Sequence, residues 1–463
     1  MLNVTVPRLR LAMLLAAILW FVSLSPLQAQ DNAFPPSING WLYDIVAASS
    51  PERIESDIRQ LVSYGTRNTL SDTTSDTRGI GVARRWIKAE FDRISAECGG
   101  CLEVFYQRNL VPAEGNRRIP EDTWVVNVVA IQRGTQHPDR YVIMSGDIDS
   151  RASSGTDATT DAPGANDNAS GMAGTIEAAR VLTQYQFANS IVYAGLSGEE
   201  QGLYGGQHMA QVAKEEGWDI IGVLNNDMIG NIEGIDGVID NTSFRVFSEP
   251  TPATDTLRQH QLRRFYGGEV DGPSRQLARY VARLTDQYIP NLDAMMIYRL
   301  DRFGRGGHHR PFNDEGFPGV RIMETHENYN RQHQDIRMED GIAYGDVIEG
   351  VNLEYAARLT AVNAITLASL GWAPPAPTNV RIGGAVQPST RLAWDAVDDP
   401  NLAGYKVYWR ATTAPQWEHS RFVGTVTEYT LENIVIDNFL FGVAAVGQDG
   451  NESMVVFPGG LIR

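Results

Sequence analysis

The stretch RYVIMSGDIDSR, Arg140 to Arg151, joins an apolar segment to two acidic residues one position apart. Its apolar part, Tyr141 to Met144, has the length and composition of a buried β-strand, and Asp147 and Asp149 follow where that strand ends. Similar segments rich in Val and Ile, such as TWVVNVVAIQ and SIVYAGLSG, alternate with helix-like segments. This alternation predicts an α/β fold, with a mostly parallel sheet sandwiched by helices.

Acidic turns follow four places where a predicted strand or its connection ends. They are Asp147 and Asp149 in GDIDS, Asp167 in PGANDNASG, Glu199 and Glu200 in LSGEEQGLYGG, and Asp227 in LNNDMIG. One such turn alone is more often a helix cap or a solvated loop. In sheets of this kind ligands bind beyond the carboxyl ends of the strands, and carboxylates that converge there repel unless they are protonated or bound to cations. Four turns together therefore predict a divalent metal site.

The N-terminus has the pattern of a secretory signal peptide. Arg8 and Arg10 precede the apolar run Leu11 to Leu24, and small and polar residues follow it. The run is shorter than the about 20 residues that span a membrane, so we predict a signal peptide over residues 1–29 and no membrane association after cleavage. The expected location is periplasmic or secreted. A formal net charge of -17 disfavours binding to nucleic acid.

The chain contains two cysteines, Cys98 and Cys101, in the sequence ECGGC. In an exported protein such a pair is expected to form a small structural disulfide. A zinc ribbon needs a second pair, which the sequence lacks.

A change of pattern near the C-terminus predicts a second domain. The segment GWAPPAP contains a Pro-rich linker over residues 372–377, and short strand-like segments follow it. These predict a small all-β sandwich over residues 378–463. Trp394, Tyr405, Tyr408 and the FGVAAV segment resemble the core pattern of fibronectin type III domains. An unrelated small sandwich is the alternative. Three alternatives are open for this domain: it binds protein, it binds carbohydrate, or it binds nothing.

The motifs PGANDNASG and SGEEQGLYGG, with the later segment RGGHHRPFNDEGFPGVR, are specific. The chain from roughly Arg53 to Leu370 resembles the co-catalytic di-zinc aminopeptidases, a family that also includes glutamate carboxypeptidases and glutaminyl cyclases. The resemblance implies a zinc peptidase domain over residues 30–371 that removes N-terminal residues from peptides. It also implies two Zn ions that activate a water and polarise the scissile carbonyl.

The resemblance assigns a role to each acidic residue. Asp167 would bridge the two ions, Asp227 would complete the first site, and Glu200 would belong to the second. Glu199 would be the general base. The division between Glu199 and Glu200 is physically reasonable, because neighbouring side chains on an extended segment point apart.

The last ligand is expected to be a histidine, and two candidates compete for this position. His333 in NRQHQDIR is favoured over His326 in METHENYN, because Asp335 follows His333 closely and would orient its ring. His308 and His309 match a segment that in the family lies beside the metal rather than on it.

The sequence departs from the family pattern at Asp147. Relatives have a histidine there, followed two positions later by an aspartate that holds its ring. We predict that Asp147 ligates in place of the histidine and that this site tolerates Mn or another divalent metal. Asp149 would then be protonated, pair with an arginine or touch the metal. The alternative is that Asp147 is a turn residue and one metal is weak or absent.

Two other functions remain open for this sequence. One is acyl transfer like that of the glutaminyl cyclases, which use a single zinc on the same scaffold. The other is a non-catalytic protein that keeps the peptidase scaffold and acts as a binding module through its C-terminal domain. The presence of Asp167, Glu199 and Glu200 together favours the peptidase, a zinc-dependent exopeptidase.

Overall fold

The structure is a computed structural model that describes residues 34–462, so the predicted signal peptide lies outside the described residues. Ten α-helices occur in this part of the chain: α1 Trp41–Ala48, α2 Pro51–Val62, α3 Ile80–Glu97, α4 Gly171–Leu182, α5 Glu199–Gly202, α6 Tyr204–Glu216, α7 Leu257–Tyr266, α8 Pro273–Tyr288, α9 His309–Asp314 and α10 Leu353–Trp372. None of these helices combines the length and apolar character that crossing a membrane requires.

The described residues contain one large sheet of eight strands: β1 Leu102–Val111, β2 Thr123–Gln132, β3 His137–Asp147, β4 Asn189–Leu196, β5 Asp219–Asn226, β6 Ser243–Ser248, β7 Asp293–Ile297 and β8 Gly319–Glu324. Their order across the sheet is β1-β2-β4-β3-β5-β8-β6-β7. The central strands β4, β3, β5 and β8 run parallel, and β6 and β7 are parallel to each other.

The prediction of a mostly parallel sheet is thus only partly confirmed. Strand β2 is antiparallel to both β1 and β4, and β6 is antiparallel to β8. The connection from β1 to β2 contains no helix, and such a short connection joins antiparallel strands, whereas parallel strands need a longer crossover. The sequence pattern shows that a strand is buried but not the direction of its neighbour.

The central strands are buried on both faces, as their nearly continuous apolar sequences predict. Along β3, Val142 and Met144 pack into one hydrophobic cluster with α4 and α10, whereas Tyr141 and Ile143 pack into a second cluster with α6. This alternation follows from the two-residue period of a strand. Helices therefore cover both faces, and the carboxyl ends of the strands form the open edge.

The C-terminal part of the described chain is all β. Its strands are β11 Arg381–Gly383, β12 Thr390–Ala393, β13 Leu402–Ala411, β14 His419–Gly424, β15 Glu428–Leu431, β16 Phe439–Gly447 and β17 Gly460–Leu461, and they form a four-stranded and a three-stranded sheet. Trp394, Tyr405 and Phe441 are buried in one core between them. The fibronectin type III assignment stays a prediction. A separate hairpin, β9 Arg337–Glu339 with β10 Ile342–Tyr344, lies before α10.

The three-stranded sheet and the loop after β16 contact α8 and the segment before it through buried polar groups. Asp271 lies 2.7 Å from Arg279 Nη1 and 2.8 Å from Arg410 Nη2, and all three side chains are buried. Tyr280 on α8 donates a hydrogen bond to the carbonyl of Glu452. Cys98 and Cys101 form a disulfide in the connection from α3 to β1.

Candidate metal centre

Three parallel strands carry the acidic turns to one edge of the sheet. Strand β3 ends at Asp147, β4 leads directly into α5 with Glu199 and Glu200, and β5 ends one residue before Asp227. Because β4, β3 and β5 are parallel neighbours, their carboxyl ends lie side by side. Asp167 reaches the same edge from the turn before α4.

Asp167, Glu200 and His333 form a group that suits a metal ion. His333 Nε2 lies 3.0 Å from Asp167 Oδ2 and 3.2 Å from Glu200 Oε1. One ligand atom from each of the three residues lies within 4.8 Å of those of the other two. Zinc takes carboxylate and imidazole ligands, and catalytic zinc sites use three protein ligands and keep the fourth position for water or substrate. These residues fit one divalent ion.

Asp147 and Asp227 lie at the same edge but are paired with other groups. Asp147 Oδ1 is 2.6 Å from His308 Nδ1, and Asp147 Oδ2 accepts a hydrogen bond of 2.7 Å from the Asn168 amide. Asp227 Oδ2 lies 2.7 Å from Nη2 of Arg321, which is fully buried. A second ion at these two carboxylates has to compete with the donors already present, so this half of the site fits an ion less well.

The crowding of buried carboxylates shifts the pKa values of the side chains in this group. Burial raises the pKa of Asp147 to about 8 and that of Asp227 to about 7, although the Arg321 guanidinium opposes both shifts. Burial and the nearby carboxylates of Asp227 and Glu200 raise the pKa of Glu199 well above its ordinary value. Burial lowers the pKa of His333, but the carboxylates of Glu200 and Asp167 outweigh this effect and raise it to about 10. A bound divalent cation would relieve this concentration of negative charge.

Asp149 caps the short helix that carries the two glutamates. Its carboxylate accepts hydrogen bonds from the backbone N–H of Glu199 at 3.2 Å and of Glu200 at 3.1 Å, and from the Thr69 hydroxyl at 3.0 Å. The prediction gave three states for Asp149, namely protonated, paired with an arginine or touching the metal, and the structure adds a role that it did not include, that of a helix cap. The first N–H groups of a helix have no partner within the helix, so a neighbouring carboxylate is their natural acceptor.

The alternative ligand His326 does not join the group. Its Nε2 lies 3.9 Å from Asp240, and its carbonyl accepts a hydrogen bond from Asn231. Among the described residues no hydrogen bond or ion pair joins the predicted orienting residue Asp335 to His333; the Asp335 carboxylate accepts a hydrogen bond from the Ser153 N–H at 3.0 Å. Asp335 thus links the loop that carries His333 to the loop after β3.

Sequence reasoning missed two residues that shape the site, Arg321 and Asp346, and one contact, that of His308 with Asp147. Arg321 lies inside the apolar strand β8, and a charged residue in a buried strand was a signal that could have revealed it. His308 was expected beside the metal, but its contact with Asp147 was not. Asp346 accepts hydrogen bonds from the N–H groups of Asn166 and Asp167 at 2.8 and 2.7 Å, which fixes the turn that presents Asp167. No local pattern marks Asp346.

A cleft of about 450 Å³ opens onto the group. Its floor contains Asp167, Glu199, Glu200, Asp227 and His333. Its walls include five arginines: Arg118, Arg151, Arg302, Arg305 and Arg310. The volume lies within the range of about 300–1,000 Å³ that small-ligand sites occupy.

The site combines carboxylates and an imidazole at the carboxyl ends of parallel strands with a further glutamate in an open cleft. This arrangement is typical of metal-dependent hydrolases. Residues 127–345 match the model of Peptidase family M28. A probable zinc metalloprotease of Leptosphaeria maculans is 42% identical over 415 residues, which cover 89% of this chain and 96% of that protein. Another from Pyricularia oryzae is 39% identical over 415 residues, covering 88% and 82%. The chain belongs to peptidase family M28.

The fold is also similar to that of a solved structure, the LapA aminopeptidase of Legionella pneumophila. That comparison has a TM-score of 0.52 and 20% sequence identity, and it covers 73% of this chain and 76% of LapA. At this level of identity the similarity concerns the fold alone.

Proposed function

We propose that the protein is an exported zinc aminopeptidase that hydrolyses N-terminal residues from peptides. The observation that carries the proposal is the group formed by Asp167, Glu200 and His333, with Glu199 on the same short helix and in the same cleft. Membership of family M28, with relatives that are named zinc metalloproteases, supports zinc and hydrolysis. The aminopeptidase specificity and the export are parts of the proposal.

The chemistry is divided among a few side chains. When bound, the ion would polarise the scissile carbonyl and make the attacking water more acidic. Glu199 takes the proton from that water and delivers it to the leaving amine. Asp149 holds the backbone N–H of Glu199 and so keeps this carboxylate over the cleft. Asp346 holds the turn of Asp167 in the same way.

For the metal content, we propose a tight ion at Asp167, Glu200 and His333 and a weaker second ion at Asp147 and Asp227. The second position accepts Mn as well as Zn, because carboxylate oxygens suit harder cations. His308 and Arg321 contact its two carboxylates and reduce its affinity.

For the rest of the chain, we propose a signal peptide that directs the protein to the periplasm or the exterior, where Cys98 and Cys101 remain oxidised. We assign the C-terminal sheets to a fibronectin type III-like domain with protein or carbohydrate as its ligand. The buried Trp394 and Tyr405 of its core support this assignment.

A second candidate is acyl transfer of the glutaminyl cyclase type with a single zinc. The observation that favours it is that only one ligand group among the described residues is complete. The two candidates differ in their products: hydrolysis releases a free N-terminal amino acid, whereas cyclisation closes an N-terminal glutamine on itself and releases ammonia.

The test compares the zinc-loaded wild type with Glu199→Gln on aminoacyl nitroanilides, short peptides and a peptide with N-terminal glutamine. We expect free amino acids from the wild type and a loss of about 100-fold or more in Glu199→Gln, which is the usual contribution of a general base. Zinc content stays the same, since Glu199 lies outside the ligand group. Glu215→Gln, an exposed change on α6, is the matched control.

Release of ammonia and a cyclised product, without free amino acids, would instead establish the cyclase. Absence of both products from protein that contains zinc would refute catalysis and favour a binding role.

A further inference from the structure

The walls of the cleft are strongly basic, although the protein as a whole carries a net charge of -17. Five arginines line it, and all of its acidic lining residues belong to the floor: Asp167, Glu199, Glu200 and Asp227. Burying or crowding five guanidinium groups around one opening is unfavourable unless anions neutralise them.

Arg305 is only partly neutralised within the protein, whereas Arg302 also has Asp301, at 3.5 Å, as a partner. The Nη1 atoms of Arg302 and Arg305 lie 3.0 and 3.3 Å from the same oxygen of Glu327. Arg245 also pairs with Glu327, at 2.9 Å. Three guanidinium groups thus share this carboxylate. The side chain of Arg302 is buried, whereas that of Arg305 is one-third exposed towards the cleft.

Arg118 and Arg310 have no carboxylate partner among residues 34–462. Arg118 donates one hydrogen bond, from Nη1 to the backbone carbonyl of Glu200 at 3.1 Å, and its side chain is otherwise exposed. This contact fixes Arg118 directly beside the ligand-bearing helix α5. Arg310, near the start of α9, is exposed and also lines the cleft.

Arg151 completes the wall beside the metal group. It donates hydrogen bonds to its own loop, to the carbonyls of Ala152 and Ser153, and its Nη1 lies 3.8 Å from Glu200 Oε2. The loop contacts hold the guanidinium in place, so that it faces the cleft in a fixed position. Because Nε and Nη2 already donate to the loop and Nη1 lies beside Glu200, Arg151 contributes positive charge to this wall rather than a free two-point contact.

The floor carboxylates do not account for these arginines. A bound divalent ion would offset the charge of Asp167 and Glu200, and Arg321 already pairs with Asp227 at 2.7 Å. The positive charge of the walls then remains available to a molecule in the cleft.

We propose that the cleft selects peptides that carry a carboxylate within one residue of the cleaved bond, and that Arg118, Arg305 and Arg310 determine this preference. The inference rests on the proposed peptidase function, whose site it extends. Three sources supply this chemistry: an acidic N-terminal side chain, an acidic side chain in the second residue, and the free C-terminus of a dipeptide.

Three pairs of uncharged and charged substrates distinguish these sources. Glutamyl nitroanilide is compared with glutaminyl nitroanilide, Leu-Glu amide with Leu-Gln amide, and the dipeptide Leu-Ala with its amide. We expect kcat/KM to favour the charged member of at least one pair by about tenfold or more, the effect of one charge-assisted hydrogen bond. In Arg310→Gln and Arg305→Gln this ratio falls by about tenfold, mainly through a higher KM for the charged substrate. Arg381→Gln, an exposed change in β11, keeps the wild-type ratio.

The same pairs are also measured as ligands, because turnover alone would not separate this inference from the proposed function. Calorimetry with zinc-loaded Glu199→Gln measures binding of Leu-Glu amide and Leu-Gln amide without catalysis. Equal kcat/KM values within every pair overturn the carboxylate preference and leave the peptidase intact. If no substrate is turned over, the peptidase proposal fails, and equal binding of the charged and uncharged ligands would then overturn the preference as well.

Discussion

Removal of the Arg321 guanidinium should strengthen binding of a second metal ion. Arg321 Nη2 is 2.7 Å from Asp227, and Nη1 is 3.2 Å from Asp301, so one buried cation serves both carboxylates. A divalent ion at Asp227 would have to bind beside this positive charge. Arg321→Met removes the charge, whereas Arg321→Lys keeps it and serves as the matched control.

The size of the effect follows from the distances. At an effective dielectric constant of about 20, a unit charge about 5 Å from a divalent ion contributes about 7 kcal/mol of repulsion. Asp301 shares the guanidinium and cancels much of this repulsion. We therefore expect the second ion to bind about 10- to 100-fold more tightly in Arg321→Met, which corresponds to ~1.4–2.8 kcal/mol.

The assay is calorimetric titration with Zn and with Mn after removal of metal by a chelator, together with elemental analysis. Wild type and Arg321→Lys should bind one ion tightly and a second one weakly, and Arg321→Met should bind two tightly. Near-ultraviolet circular dichroism checks that the core of each variant is intact. Two equally tight ions in the wild type, or an unchanged second affinity in a folded Arg321→Met protein, would refute the reasoning.

Two further predictions concern stability. Burial, with the carboxylates of Asp314 and Asp255 nearby, raises the pKa of Glu249 to about 8. The folded state thus keeps a proton that the unfolded chain releases near its ordinary pKa of about 4.3, and stability falls as the pH rises from about 5 to 8. Scanning fluorimetry should show Glu249→Gln melting higher than the wild type at pH 8.5, with the difference vanishing near pH 4; a difference independent of pH would contradict this. Arg410→Met removes a buried partner of Asp271 and should lower the free energy of unfolding by about 3 kcal/mol in urea, in one transition that includes the C-terminal sheets. Separate melting of those sheets, with the main transition unchanged, would contradict the second prediction.

Much of the central sheet could be predicted from the sequence. The alternation in Tyr141 to Met144 is set by burial on two faces, which is a local property of the segment, and the acidic residues mark the point where the strand leaves the sheet. The motif around Glu199 and Glu200 is local as well, and so is the CxxC pair. The motifs also suggested Asp167 and His333, whose ligand atoms the structure brings together with that of Glu200.

Other features depend on which distant segments become neighbours. The antiparallel flank of the sheet depends on strand directions that the sequence pattern leaves open. The helix cap formed by Asp149 and the ion pair of Arg321 with Asp227 each join residues that lie far apart in the chain. The sequence by itself determined which segments are buried and which side chains carry the chemistry, because hydrophobic periodicity and motif spacing are local. Only the tertiary structure decided which charges face one another, because electrostatic pairing depends on distances in space that no local pattern encodes.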